Sequence, residues 1–166
     1  MRVIFLPDGW TILLCFFAWL FIQSGAAMLC LYLPNHCFSP NKTIFRGYRW
    51  EKEGKIYEKL FIVKRWKHLL PDGGMISKKR GFRKKKLESF SQDSLNRFLI
   101  ESARGEMTHW IPIFFFWVFW MFTPPMVPWI MLIYALLINM PCIIVQRYNR
   151  PRVQRLLNNL KGREKL

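Results

Sequence analysis

The run WIPIFFFWVFWMFTPPMVPWIMLIYALLINMPCIIVQ, from Trp110 to Gln146, decides how this chain folds, because none of its 37 residues carries a charge. Uncharged apolar runs of about 18 or more residues read as membrane segments. As one helix this run would measure roughly 55 Å, nearly twice a ~30 Å hydrocarbon core. Its midpoint holds Thr123-Pro124-Pro125-Met126-Val127-Pro128. Pro125 and Pro128 lack a backbone donor, and Pro125 biases Pro124 away from the α region. The run is therefore predicted to double back there, as two segments of about 109–123 and 127–146.

Working outward, a second uncharged run of 24 residues extends from Trp10 to Leu33 and supplies another membrane segment. The chain of 166 residues is 52% hydrophobic and 17% aromatic, with 15 Phe and 8 Trp. That much apolar surface excludes a solvated disordered chain, and its bunching excludes an ordinary soluble domain. The predicted fold class is an all-α integral membrane protein forming a single membrane domain over 1–166. It has about three membrane segments, the second and third a Pro-broken hairpin, plus cytoplasmic amphipathic interfacial helices. The 109–123 segment is short for a full crossing; local thinning of the bilayer and a re-entrant hairpin both fit it.

The N-terminal apolar stretch exceeds the usual ~7–15 residues of a signal-peptide core. Ala26-Ala27-Met28-Leu29-Cys30 fails as a lipoprotein box because Leu29 is bulky where a small residue is needed. Cys15, Cys30, Cys37 and Cys142 form no CxxC pair and read as packing residues, so neither a metal nor a redox centre is expected.

The charges fall in two blocks. Between Lys42 and Lys86 stand 16 Lys/Arg and 4 acids; from Arg147 to Leu166 stand 7 Lys/Arg and 1 acid. Basic loops stay cytoplasmic, which places the 34–108 region and the 147–166 tail inside and the N-terminus outside, with Arg2 alone opposing. The same charge would draw anionic lipid, at about 1 kcal/mol per Lys or Arg near the surface. Nucleic acid is not an expected partner, since no nucleic-acid fold motif accompanies the high pI.

Within 34–108, Ile56, Leu60, Val63 and Leu70 recur at near-helical spacing among lysines, predicting an amphipathic helix in the interface. Leu70-Pro71-Asp72-Gly73-Gly74 predicts a turn. A further helix is expected from Ser91, an N-cap, with Asp93 in its first turn and Leu95, Phe98 and Leu99 on one face.

Candidate chemistry gathers in three places. In Glu101-Ser102-Ala103-Arg104-Gly105-Glu106-Met107-Thr108-His109-Trp110, Glu101 and Arg104 are i,i+3 neighbours on a helix, as are Glu106 and His109. A carboxylate beside an imidazole can fix its tautomer and raise its basicity, which suits general-base work on a hydroxyl. The second group is Asn139, expected to face other helices rather than lipid, followed by Arg147-Tyr148-Asn149-Arg150. Arginine forks bind phosphate oxygens, and Tyr148 and Asn149 could add oriented hydrogen bonds. The hairpin would make these two groups neighbours. The third is Arg65-Trp66-Lys67 with Asp72, where Trp66 anchors at head-group depth and lysine draws an anion. His36 and His68 are weaker candidates, and no GxSxG, HExxH, P-loop or H-x4-D box is present.

The pieces Leu33-Pro34-Asn35-His36, Lys64-Arg65-Trp66-Lys67 with Leu70-Pro71-Asp72-Gly73, the E-x-x-R-x-E-x-x-H of Glu101 to His109, and Asn139 through Arg150 resemble, in order and spacing, the glycosyl-4,4'-diaponeurosporenoate acyltransferases. The resemblance covers about residues 33–152. It implies transfer of a fatty acyl group from an acyl-CoA-type donor to a sugar hydroxyl of a glycosyl carotenoid or other glycolipid, with no bound cofactor. His109 would take the hydroxyl proton, Glu106 would orient it, and Arg104 or backbone donors would stabilise the oxyanion. Glu101, Arg65, Trp66, Lys67, Asp72, Asn139, Arg147, Tyr148, Asn149 and Arg150 are the expected substrate contacts. The competing expectation is a non-enzymatic membrane protein that binds anionic lipid or a partner enzyme through its basic face.

Overall fold

The computed structural model describes residues 3–70 and 91–163. Among these residues the structure is helical, with no strand: α1 (Asp8–Tyr32), α2 (Lys55–Phe61), α3 (Val63–Trp66), α4 (Gln92–Phe114) and α5 (Val127–Arg163). Short 3-10 turns fill Asn35–Phe38, Arg49–Gly54, Lys67–Leu69 and Phe115–Met121. Among the described residues two helices, α1 and α5, are long and apolar enough to cross a membrane. The chain divides into two compact units, one of residues 1–33 and 107–143, the other of 34–106 and 144–166. The expected turn at Pro71-Asp72-Gly73-Gly74 and the basic run of residues 78–86 lie outside the described residues.

In the apolar unit, α1 begins after Pro7 with Asp8 in its first turn, where a carboxylate suits the positive end of the helix. Thr11 Oγ1 donates to the carbonyls of Leu6 and Pro7. Pro34 ends the helix by holding Leu33 extended, at φ −64° and ψ 138°. The last turns of α4 continue as the 3-10 segment Phe115–Met121, so the predicted 109–123 segment is not one uniform α-helix. Helical structure stops before 122–126, where Thr123 Oγ1 donates to the Phe119 carbonyl, and α5 starts at Val127. Pro128 is tolerated there because first-turn amides have no intrahelical acceptor.

Side chains from before and after this break meet. Phe116 and Trp120 contact Trp129 near the turn. Farther along, Ile113, Ala135 and Ile143 form a buried cluster with Trp19, Trp110, Leu132 and Met140 around it. The backbone amides of Val3 and Ile4 both donate to the Met121 carbonyl. Much of the remaining apolar surface is exposed, including Phe16, Phe21, Ile130 and Leu137. A core helix of a soluble protein would hide such residues; exposed apolar surface of this extent matches a lipid environment.

The basic unit is built on the first half of α4 and the second half of α5. Ser91 caps α4, its Oγ accepting from the Ser94 amide at 3.3 Å. Leu95, Phe98 and Leu99 pack on Val153 and Leu157 of α5. That packing explains a departure from expectation: the predicted segment 127–146 does not end at Gln146 but runs as one helix to Arg163, through Pro141 and Pro151. Burial of Val153 and Leu157 favours continued helix over the two missing proline donors.

The expected amphipathic helix across 56–70 is also corrected. It breaks at Ile62, which takes a left-handed conformation (φ 49°, ψ 44°) that ends α2 and starts α3. The break turns Val63 into a cluster with Tyr57, Ile144 and Tyr148, while Leu60 stays 65% exposed. Gly54, at φ +82°, lies so close to α5 that an added Cβ would stand 2.8 Å from the Tyr148 carbonyl oxygen.

Candidate active site

The middle of the basic unit is a buried network of two carboxylates and two guanidinium groups. Glu106 is fully buried, and both of its oxygens accept from arginine: Oε1 from Arg147 Nε at 2.7 Å, Oε2 from Arg150 Nη2 at 2.6 Å. Arg147 Nη1 reaches Glu51 Oε1 at 2.9 Å, and its Nη2 reaches the Ile44 carbonyl at 2.8 Å. Arg150 Nη1 donates to the Phe45 carbonyl at 2.8 Å. Glu51 closes the network, its Oε2 accepting the Tyr48 amide at 2.7 Å and its Oε1 the Tyr57 hydroxyl at 2.5 Å. Two anions against two cations leave this centre neutral, as burial of charge requires. Burial and the hydrogen bond to the Glu51 carboxylate push the Tyr57 phenol above the ordinary tyrosine range.

Arg147 and Arg150, singled out in the sequence as forks for phosphate, thus direct those forks at Glu106, Glu51 and backbone carbonyls. Arg104 pairs with Glu101 at 2.7 Å, the i,i+3 contact its spacing predicts, and its other terminal nitrogen donates to Asn35 Oδ1 at 2.6 Å. Its guanidinium also lies over the Phe38 ring, 5.1 Å from the centroid.

Tyr148 is buried, with Lys67 Nζ 5.2 Å and the Arg152 guanidinium 3.5 Å from its ring centroid. Trp66 Nε1 donates to the Phe61 carbonyl at 2.7 Å. Arg65 is exposed and Asn149 half-buried. Asp72 lies outside the described residues. A pocket of about 450 Å³ opens beside the network, lined by residues of the 40–53 segment and of α5 between 147 and 158.

In the apolar unit, the fully buried Asn139 has its amide orientation set by its own bonds. Its Nδ2 donates to the Ala135 carbonyl at 2.9 Å, and its Oδ1 accepts from Gln23 Nε2 at 3.1 Å. His109 Nδ1 stands 2.9 Å from that same Oδ1. An amide oxygen can only accept, so the imidazole proton belongs on Nδ1 and the basic lone pair on Nε2. An imidazole held in this way can receive a proton at Nε2.

The structure adds Gln23, Glu51 and Tyr57 to the candidates read from the sequence and gives Asn35, quoted there only within Leu33-Pro34-Asn35-His36, a contact with Arg104. Gln23 had a readable signal, being a strongly polar residue within an uncharged membrane segment. Glu51 was one of only 4 acids among 16 cations between Lys42 and Lys86, which marks it for pairing.

The model of the family described as glycosyl-4,4'-diaponeurosporenoate acyltransferase matches residues 40–159. The chain belongs to that family. A protein of that name from Staphylococcus aureus (strain COL) is 37% identical over 153 residues, which is 92% of each chain. Another, from the Newman strain, is 36% identical over 151 residues, covering 91% of this chain and 90% of the relative. No solved structure matches. The matched span contains Glu51, Arg104, Glu106, His109, Asn139, Arg147 and Arg150, while their partners Gln23 and Asn35 lie before it.

Proposed function

We propose that this chain transfers a fatty acyl group from an acyl-CoA-type thioester to a sugar hydroxyl of a glycosylated carotenoid. The observation that carries this reading is the match along 92% of the chain to proteins named for that acyl transfer. Family membership supplies the enzyme class, acyltransferase.

In the proposed reaction His109 Nε2 accepts the proton of the sugar hydroxyl as its oxygen attacks the thioester carbonyl carbon. Asn139 Oδ1 holds the opposite ring nitrogen and, with Gln23, keeps the lone pair on Nε2. The tetrahedral oxyanion then collapses, the C–S bond breaks, and the imidazolium returns the proton to the departing thiolate. Water is the competing nucleophile, and an apolar setting rich in Trp and Phe disfavours it. Glu106 and Arg104 act by positioning: the first balances Arg147 and Arg150, the second ties α4 to Asn35.

The same reading places the protein in the cell membrane as a multi-pass protein, with α1 crossing and 109–146 forming a hairpin. The meeting of Trp110 and Ile113 with Met140 and Ile143 supports the hairpin, because it sets the two ends of the apolar run side by side. With seven residues at the longer 3-10 rise, 109–121 measures roughly 23 Å, still short of a ~30 Å core. A basic cytoplasmic face fits the positive-inside rule. Exposed Leu60, Phe61, Ile62 and Leu69 stand among Lys59, Lys64 and Arg65, a pattern suited to lying in an anionic interface.

Lipid extracts from cells with and without the gene test the reaction. An acylated glycosyl carotenoid is expected only where the gene is present. Identical extracts, with the unacylated glycoside available in both, would overturn the assignment.

A further inference from the structure

We infer that the pocket beside the buried charge network binds the phosphate groups of a nucleotide carrier, through Arg46, Arg49 and Lys52. The inference rests on the acyl-transfer reading above and names the part of the donor that this pocket takes.

The balance of charge around the pocket points to an anionic ligand. The pocket holds about 450 Å³, within the range of small-molecule sites. Six cations line it, but three of them are already matched. Arg147 and Arg150 are neutralised by Glu51 and Glu106, and Arg155 pairs with Glu53. Arg46, Arg49 and Lys52 remain. They are exposed, and among the described residues no carboxylate pairs with them. The lining therefore carries an excess of three positive charges over a neutral floor.

Matched cations shape a wall, whereas unmatched ones attract an anion. Three of them on one short segment suit a ligand with several phosphate oxygens better than a single carboxylate. The segment is also held in place. Tyr48 hydroxyl donates to the Thr43 carbonyl at 2.8 Å, its amide is bound by Glu51, and Phe45 is buried beneath. Lys52 itself takes a left-handed conformation (φ 46°) that a flexible loop would not keep without such support. Tyr48 also lines the pocket and adds an aromatic ring of the kind a purine packs against.

Phosphate esters come from two sources here, a nucleotide carrier such as coenzyme A or a phospholipid head group, and the test separates them. Full-length protein in phosphatidylcholine nanodiscs is titrated calorimetrically with adenosine 3',5'-bisphosphate. Saturable binding is expected, weakened at least about tenfold in Arg46→Gln/Arg49→Gln, as loss of two charge-assisted contacts implies. Lys161→Gln, at the far end of α5, should leave it unchanged. No binding, or equal binding by the double variant, overturns the proposal. So does displacement of the nucleotide when phosphatidylglycerol replaces phosphatidylcholine, which would make this a head-group site. Acyl transfer measured in the same discs separates this inference from the function. Turnover with an unchanged donor KM in the double variant removes the pocket and keeps the reaction. Nucleotide binding without any acyl transfer keeps the pocket and removes the reaction.

Discussion

At the scale of single residues, the two polar centres have different duties. His109, Asn139 and Gln23 form a short chain in which each hydrogen bond fixes the next, which in the proposed reaction gives Asn139 the task of holding a tautomer. Asn139→Ala should lower kcat by roughly 10–100-fold, less than loss of the base itself, and broaden or displace the acid limb of the pH–rate profile. A uniform fall in activity with an unchanged profile would assign Asn139 to packing alone. Glu106 is a charge balancer. Its replacement by Gln leaves Arg147 and Arg150 under-compensated in a buried site, at a cost of about 3–5 kcal/mol, read as a lower unfolding midpoint in detergent. Tyr57 gives a pH prediction. Its folded pKa is raised, so its contribution is complete below the unfolded value and fades as pH climbs through the alkaline range toward the folded one. Wild-type protein should therefore lose stability above about pH 10, and Tyr57→Phe should remove that part of the loss. Equal alkaline slopes would contradict it.

At the scale of elements, what the sequence made legible was whatever local chemistry writes down. Ser91 as a cap, the break between Met121 and Val127, and the Glu101–Arg104 pair all follow from residues within a few positions of one another. What stayed hidden depended on distant partners. Nothing near Ile62 announces a left-handed turn at a β-branched residue; it is enforced by Val63 packing on Tyr57 and Tyr148. Helix α5 passes Pro151 because Val153 and Leu157 meet α4, which no local rule reports. Glu51 joins Arg147 across 96 positions. Gly54 belongs to the same class, and its tightness is testable. A Cβ there meets the Tyr148 carbonyl, in a backbone region costing an L-residue roughly 1–2 kcal/mol. Gly54→Ala should destabilise the protein by at least about that amount in a thermal melt, and an unchanged melt would show that the turn can relax.

For the whole molecule, the formal charge of +16 and the long uncharged runs describe one division of labour. Apolar helices supply a lipid-compatible body, and the basic region gathers its arginines around two carboxylates. A lipid acceptor and an anionic donor are the pair of substrates such a chain suits. The proposed role of His109 as the base for acyl transfer is read from the turnover of purified His109→Gln in vesicles. Glycosyl carotenoid and acyl-CoA would be supplied, and far-UV circular dichroism matched to wild type. Turnover is expected to fall about 10²–10⁴-fold with undiminished protein in the membrane, whereas turnover within about twofold of wild type would show that His109 is not the base.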